Sequence, residues 1–184
     1  MNLFIKPHAG RYFSMEAMQK IKCLTIEDSN FPDRLRKLSG MPKKLYYIGN
    51  LPDPKKPAAA VVGARMCSPY GRCQAFKYAR TMASYGVQII SGMARGIDAE
   101  GHKGALDTDT PTFAVLGSGV DVCYPNSNRW LYQRILEKGG GIISELPPGS
   151  PPVNWAFPAR NRIISGLSDA VLVVEAKEQS GSLI

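Results

Sequence analysis

Once the chain passes Pro57, apolar residues fall into short unbroken runs separated by longer stretches of mixed polarity. The runs Ala58–Val62, Val87–Ile90, Thr112–Leu116, Gly141–Leu146 and Ala170–Glu175 read as five strands. Each is too continuously apolar to leave one face in water. Between them, Tyr70–Tyr85, Ala99–Leu106, Asn128–Lys138 and Arg160–Leu167 are helical in pattern. Gly86 and Gly139-Gly140-Gly141 serve as stops. Strand alternating with helix predicts a parallel sheet covered on both faces. With right-handed crossovers this becomes an α/β, doubly wound, mainly parallel Rossmann-like fold.

Before Pro57 the pattern is weaker. Ser14–Lys22 is a short amphipathic piece capped by Ser14, and Lys44–Gly49 is a short strand. Leu51-Pro52-Asp53-Pro54-Lys55-Lys56-Pro57 can neither continue a helix nor sit in a central strand, so it reads as a linker. The expected organisation is an irregular or helical lead-in over residues 1–57, then a Rossmann-like domain over 58–184.

Composition narrows the class. With 184 residues, 44% hydrophobic and 21% charged, the chain is globular rather than disordered. No run approaches the roughly 20 apolar residues of a membrane span. The amino terminus lacks the layout of a signal peptide, so a soluble cytoplasmic protein is expected. Four scattered cysteines and two histidines argue against a disulfide framework or a metal site. The net charge is +8, with 11 basic against 5 acidic residues up to Pro57 and 12 against 10 beyond it. A polyanionic partner must therefore be argued from where individual arginines fall.

In a doubly wound sheet the strand-to-helix loops share one edge, where ligands bind. Here those loops carry Gly63 and Arg65; Ser91, Gly92, Arg95 and Gly96; Gly117, Ser118 and Gly119; Asn161 and Arg162; and Ser180, Gly181 and Ser182. Glycines admit close backbone approach, amides at helix N-termini attract anions, and arginines supply phosphate forks. Any one glycine is equally a turn residue. Arg72 and Arg80 read as a solvated helix face, and Asp98 as the cap of the helix starting at Ala99. His102 reads as a capping or packing residue. Glu145 and Glu175 read as loop-ordering acceptors or general bases.

Recurrence on several loops points to an extended anion site. G-x-G-x-x-G, the phosphate loop G-x-x-x-x-G-K-S/T and the nucleophile elbow G-x-S-x-G are all missing, so no cofactor is expected and a dehydrogenase, ATPase or hydrolase is disfavoured.

The strings V-V-G-A-R…S-P-Y-G, I-I-S-G-M-A-R-G-I-D-A-E-G-H-K-G-A-L, A-V-L-G-S-G-V-D-V-C-Y-P, I-S-E-L-P-P-G and F-P-A-R-N-R-I-I-S-G-L-S-D-A-V-L-V-V-E-A…S-G-S-L-I closely resemble the bacterial DNA-processing protein A (DprA, or Smf) family. The resemblance covers Ala58–Ile184 and extends loosely back to Leu24. It implies a non-enzymatic protein that binds single-stranded DNA, protects incoming strands and assists RecA loading during natural transformation, with RecA and a homodimer as partners. Carried over by position, Arg65, Arg95, Gly117–Gly119 and Phe157–Ile164 contribute to that site. Trp155 or Phe157 would stack an unpaired base, Trp155 being equally a cover for the core. Family members continue past S-G-S-L-I with a helix and a further strand, so the domain is expected to be C-terminally incomplete. The related LOG phosphoribohydrolases need P-G-G-x-G-T-x-x-E, which does not occur here. A small-nucleotide sensor using the same edge is the other alternative.

Overall fold

The computed structural model describes residues 21–177. The expected helix over Ser14–Lys22 lies almost wholly outside them, and Lys22 instead opens a strand. Seven strands form one sheet: β1 (Lys22–Thr25), β2 (Lys44–Gly49), β3 (Ala58–Val62), β4 (Gln88–Ser91), β5 (Thr112–Val115), β6 (Gly141–Ser144) and β7 (Ala170–Val173). Among the described residues five α-helices accompany them, α1 (Asp33–Arg36), α2 (Pro69–Ser84), α3 (Ile97–Leu106), α4 (Arg129–Glu137) and α5 (Ala156–Gly166), with a single 3-10 turn over Asn126–Asn128 leading into α4.

The strand order is β1-β2-β6-β5-β4-β3-β7. The pairings from β6 through β5, β4 and β3 to β7 are parallel, and the β1–β2 and β2–β6 pairings are antiparallel. The lead-in thus adds two strands to the parallel core, Tyr46 standing opposite Ser144 and Gly49 opposite Gly141. Successive crossovers from β3 to β6 run one way, and β7 returns to the far side of β3. The carboxyl ends of β3 and β7 are therefore the topological switch point.

Alternate residues of each strand enter opposite layers. Ala58, Ala60, Ile90, Phe113, Val115 and Ile143 pack with Phe31, Leu35, Ile163 and Ile164 beneath α1 and α5. Ala59, Val61, Ile89, Ala114 and Ile142 face α2, α3 and α4. Both faces are covered, as the continuous apolar runs require.

Helix α2 opens with Pro69 at its first position, and the Ser68 side chain accepts from Gly71 N at 3.0 Å. Its buried strip is Gly71, Ala75, Ala79 and Ala83. The strip meets α3 at Gly104, where an added Cβ would lie 3.0 Å from Arg80 N and 3.1 Å from the Ala79 Cβ. Helix α5 begins at Ala156, earlier than the expected Arg160. Pro158 falls in its first turn, where a missing N–H removes no helical bond.

A buried polar network ties these layers together. Arg160, only 5% exposed, donates to Gly92 O at 2.7 Å and to Val115 O. Burial lowers the affinity of its guanidinium for the proton, and the charge of Asp98 opposes that shift. His102 is fully buried, with Nδ1 2.7 Å from Thr112 Oγ1. That hydroxyl gives its own proton to Ile89 O, so His102 must donate from Nδ1. Nε2 is left as a bare lone pair with no partner among the described residues.

Burial, followed by the charge of Arg160, pushes the His102 pKa from 6.5 down to about 3. The unfolded chain takes up this proton near pH 6.5 and the folded chain only near 3, so the associated stability is complete above pH 6.5 and is lost as pH falls. Ring NMR shifts of His102 will stay those of the neutral Nδ1–H tautomer from pH 8 to pH 5. The unfolding free energy of His102→Gln will fall less steeply below pH 6.5, by about 1.4 kcal/mol per pH unit. Arg160→Met, which strands two backbone carbonyls and removes the charge opposite Asp98, will lower stability by about 2–3 kcal/mol in denaturant titration.

Candidate nucleic-acid interface

At the switch point the strand-to-helix loops enclose a crevice with two lobes. One, of roughly 590 Å³, is lined by Gly63, Arg65, Asp98, Phe157, Asn161 and Lys177, among others. The other, of roughly 1220 Å³, is lined by Arg65, Gly92, Arg95, Tyr124 and Phe157, among others. Arg65 and Phe157 belong to both. The Arg65 guanidinium lies 5.2 Å from the Phe157 ring centroid, a cation–π distance. The Phe157 ring is in turn 5.6 Å from that of Tyr124, tilted by 32°. Arg65 and Arg95 are exposed, and neither forms an ion pair among the described residues.

The loop that carries Arg95 is held in a costly conformation. Met93 has φ +60° and is fully buried. A side chain in this region costs about 1–3 kcal/mol and persists only where surroundings impose it. Asn128 imposes it here, donating from Nδ2 to Met93 O at 2.8 Å and Ala94 O at 3.2 Å. Gly96, at φ +74°, turns the chain against Ala64 O and Arg65 O, where a Cβ would collide with backbone. The two arginine-bearing loops are thereby fastened to each other.

The backbone amides behind these loops serve an internal acid. Asp98 Oδ2 accepts from Gly92 N at 3.1 Å and Ala94 N at 3.4 Å, and the Gly63 amide also bonds this carboxyl. Burial raises the Asp98 pKa, while Arg160, then the amides of Ala94, Gly92 and Gly63, pull it down. Asp98 is consequently not the cap of its own helix: α3 starts at Ile97 after Gly96, with no side-chain cap. The N-terminus of α2 is likewise taken. Glu175 accepts from Ser68 N at 3.0 and 3.1 Å and from Ser68 Oγ at 2.7 Å, so a carboxylate of the chain stands where a phosphate would be drawn.

The other expected residues are dispersed. Ser91 and Ser118 are buried, and their hydroxyls donate to Val61 O at 2.6 Å and Val122 O at 2.8 Å. Gly117 lies under the Phe157 ring, and Gly119 against Asp121 and Pro147. Arg162 turns away from the crevice and grips Glu145 with both ends of its fork, at 2.6 and 3.1 Å. Asn161 lines the smaller lobe and takes Arg160 Nε at 3.3 Å. Trp155 is 64% exposed at the start of α5. Ser180, Gly181 and Ser182 lie outside the described residues.

Tyr124 and Met66 join the site without having been singled out for it, and Arg160, expected only as one residue of the Phe157–Ile164 element, lines both lobes. For Arg160 a signal existed. Ala156, Arg160, Ile163 and Ile164 share one face of α5, the buried one, whereas Arg162 falls about 200° from Arg160. Among the described residues no group of His, Cys, Asp or Glu is suited to a metal ion, and no helix is long and apolar enough to cross a membrane.

The model of the DNA recombination-mediator protein A family matches residues 22–184. DNA processing protein DprA of Streptococcus pneumoniae is 41% identical over 180 residues, covering 95% of this chain and 63% of that protein. Protein Smf of Synechocystis is 42% identical over 165 residues, covering 88% of this chain and 41% of its own length. The chain thus spans about half the length of these curated relatives. The X-ray structure of the pneumococcal protein superposes with TM-score 0.83 at 41% identity over 91% of this chain and 59% of that one. DNA processing protein A of Helicobacter pylori, solved for its single-stranded DNA binding mode, gives TM-score 0.78 at 32% identity over 89% and 73% of the two chains. Fold, loop motifs and relatives agree, and the chain belongs to the DNA recombination-mediator protein A family, known also as DprA or Smf.

Proposed function

We propose that this chain binds single-stranded DNA along the two-lobed crevice, with Arg65 and Arg95 on phosphates and the rings around Phe157 on bases. One observation carries the reading: two exposed arginines, without carboxylate partners among the described residues, flank an aromatic stack at the switch point. Phosphate attraction plus base stacking is how sequence-tolerant single-strand binders work. The amides of Gly63 and Gly92 and the N-terminus of α2 are already engaged by Asp98 and Glu175. This weighs against a small-nucleotide sensor and moves the phosphate contacts out to side chains. Family membership and the Helicobacter pylori relative, which binds single-stranded DNA, support the same reading. Protection of incoming strands, assistance to RecA loading and a homodimeric state, in the cytoplasm and without catalysis, complete the proposal on the strength of the family.

Labelled oligonucleotide and mononucleotides titrated across a salt series test it. The oligonucleotide will bind with a steep salt dependence and mononucleotides weakly, whereas tight mononucleotide binding would overturn the reading. In Arg65→Ala/Arg95→Ala the salt slope will fall by about 1 to 2 and affinity by more than about tenfold, with thermal stability unchanged. Parent-like binding by that variant removes the assignment of both arginines. Trp155→Ala and Phe157→Ala will each lower affinity by about tenfold in the same titration if their rings stack bases. Equal affinity in both makes them packing residues.

A further inference from the structure

The strip Gly71, Ala75, Ala79 and Ala83 that seats α2 on α3 also decides what points outward. On the exposed side Tyr70, Lys77, Tyr78, Thr81 and Tyr85, the last just past the end of the helix, fall within one arc of about 100°. Lys77 stands about 180° from the strip, Tyr70 and Thr81 about 140–160°, and Tyr85 and Tyr78 on its flank at about 80–100°. Tyr70 is 73% exposed, Tyr78 48% and Tyr85 83%. The helix contains no Asp or Glu, while Arg72, Lys77 and Arg80 give it three cations. Only Arg80 is paired among the described residues, with Asp107. On α3 and α4, by contrast, Lys103 pairs with Glu100 and Arg134 with Glu137 along the same helix.

Rings with a polar edge, presented to water on a helix with no acidic residue of its own, suit a partner that offers flat π-faces and negative charge together. Unpaired nucleic acid is that partner. The face begins close to the crevice along the chain: Tyr70 follows Arg65 by five residues, just past the Ser68 amide that Glu175 holds, and from Tyr70 to Tyr85 the helix carries it about 22 Å toward the opposite edge of the sheet.

We infer that the outer face of α2 is a second segment of single-strand track, continuing from the crevice, on which Tyr70, Tyr78 and Tyr85 stack bases and Lys77 takes a phosphate. This rests on the single-strand reading above and lengthens it. Short oligonucleotides fill the crevice alone, and longer ones gain affinity by reaching down the helix.

The test uses the whole 184-residue chain and labelled oligothymidylates from roughly 6 to roughly 24 nucleotides, spanning the usual range of single-strand sites. The triple variant Lys77→Gln/Tyr78→Ala/Tyr85→Ala will bind the shortest oligomers as the parent does and lose about tenfold or more on the longest. Its salt slope with long oligomers will fall by about one. Tyr78→Phe/Tyr85→Phe, which keeps both rings, will retain the affinity. Photo-crosslinking of a bromodeoxyuridine-substituted long oligomer to the unaltered chain will place adducts on Tyr78 or Tyr85. Undiminished long-oligomer binding by the triple variant, equal loss at every length, or adducts confined to the crevice overturns the track. The first of these is also what a protein-docking face would give. Loss of short-oligomer binding by the parent chain would instead count against the crevice, so the two readings fail separately.

Discussion

The crevice depends on a buried carboxyl group. Asp98 gathers amides from the loops after β3 and β4, and Arg160 reaches from α5 to the carbonyls of Gly92 and Val115 beside it. A buried amide without an acceptor costs about 1–3 kcal/mol. Net domain stability is only about 5–15 kcal/mol. Three such amides around one acid therefore decide whether these loops keep their shape. Because the neutralising charge is internal, Arg65 and Arg95 need no carboxylate to hold their loops in place. They stay exposed, stationed by Gly96 and by the strained Met93 rather than by partners of their own.

Much of this was legible beforehand. The five parallel strands and their helices followed from apolar runs that both layers of the core require. The lead-in strand over Lys44–Gly49 was visible, but β1 was not: Lys-Cys-Leu-Thr is too short and too polar to declare itself, and becomes a strand by pairing with Leu45 to Tyr47. The start of α5 was hidden by Pro158, which a first turn tolerates. The chemistry was harder to place. Glycine-rich turns after strands look alike whether their amides face solvent or a side chain of the same protein. Asp98 shares the buried face of α3 with His102 and Ala105, and that spacing was the available clue. Arg160 and Arg162 are two residues apart in one motif, yet helical geometry sends one into the core and the other to Glu145.

Small residues serve two purposes in this fold. Between α2 and α3 they remove bulk, so the helices touch through backbone and β-carbons. That interlock leaves no room for long side chains along the α3 contact, so Tyr70, Tyr78 and Tyr85 stand off it in water while Met82 packs at its margin. The exposed tyrosines are thus the counterpart of the alanine strip, and each face of the helix constrains what the other can be.

Glu175 closes the most obvious hole in a Rossmann-like sheet from within. Cells hold abundant free ATP, NAD and their fragments, all of which seek a helix tip next to a glycine turn. A chain that fills this tip with its own acid offers no free helix N-terminus there to such anions. On the proposed single-strand reading, the remaining positive side chains are left for a polymer, whose many weak grips no single metabolite can imitate.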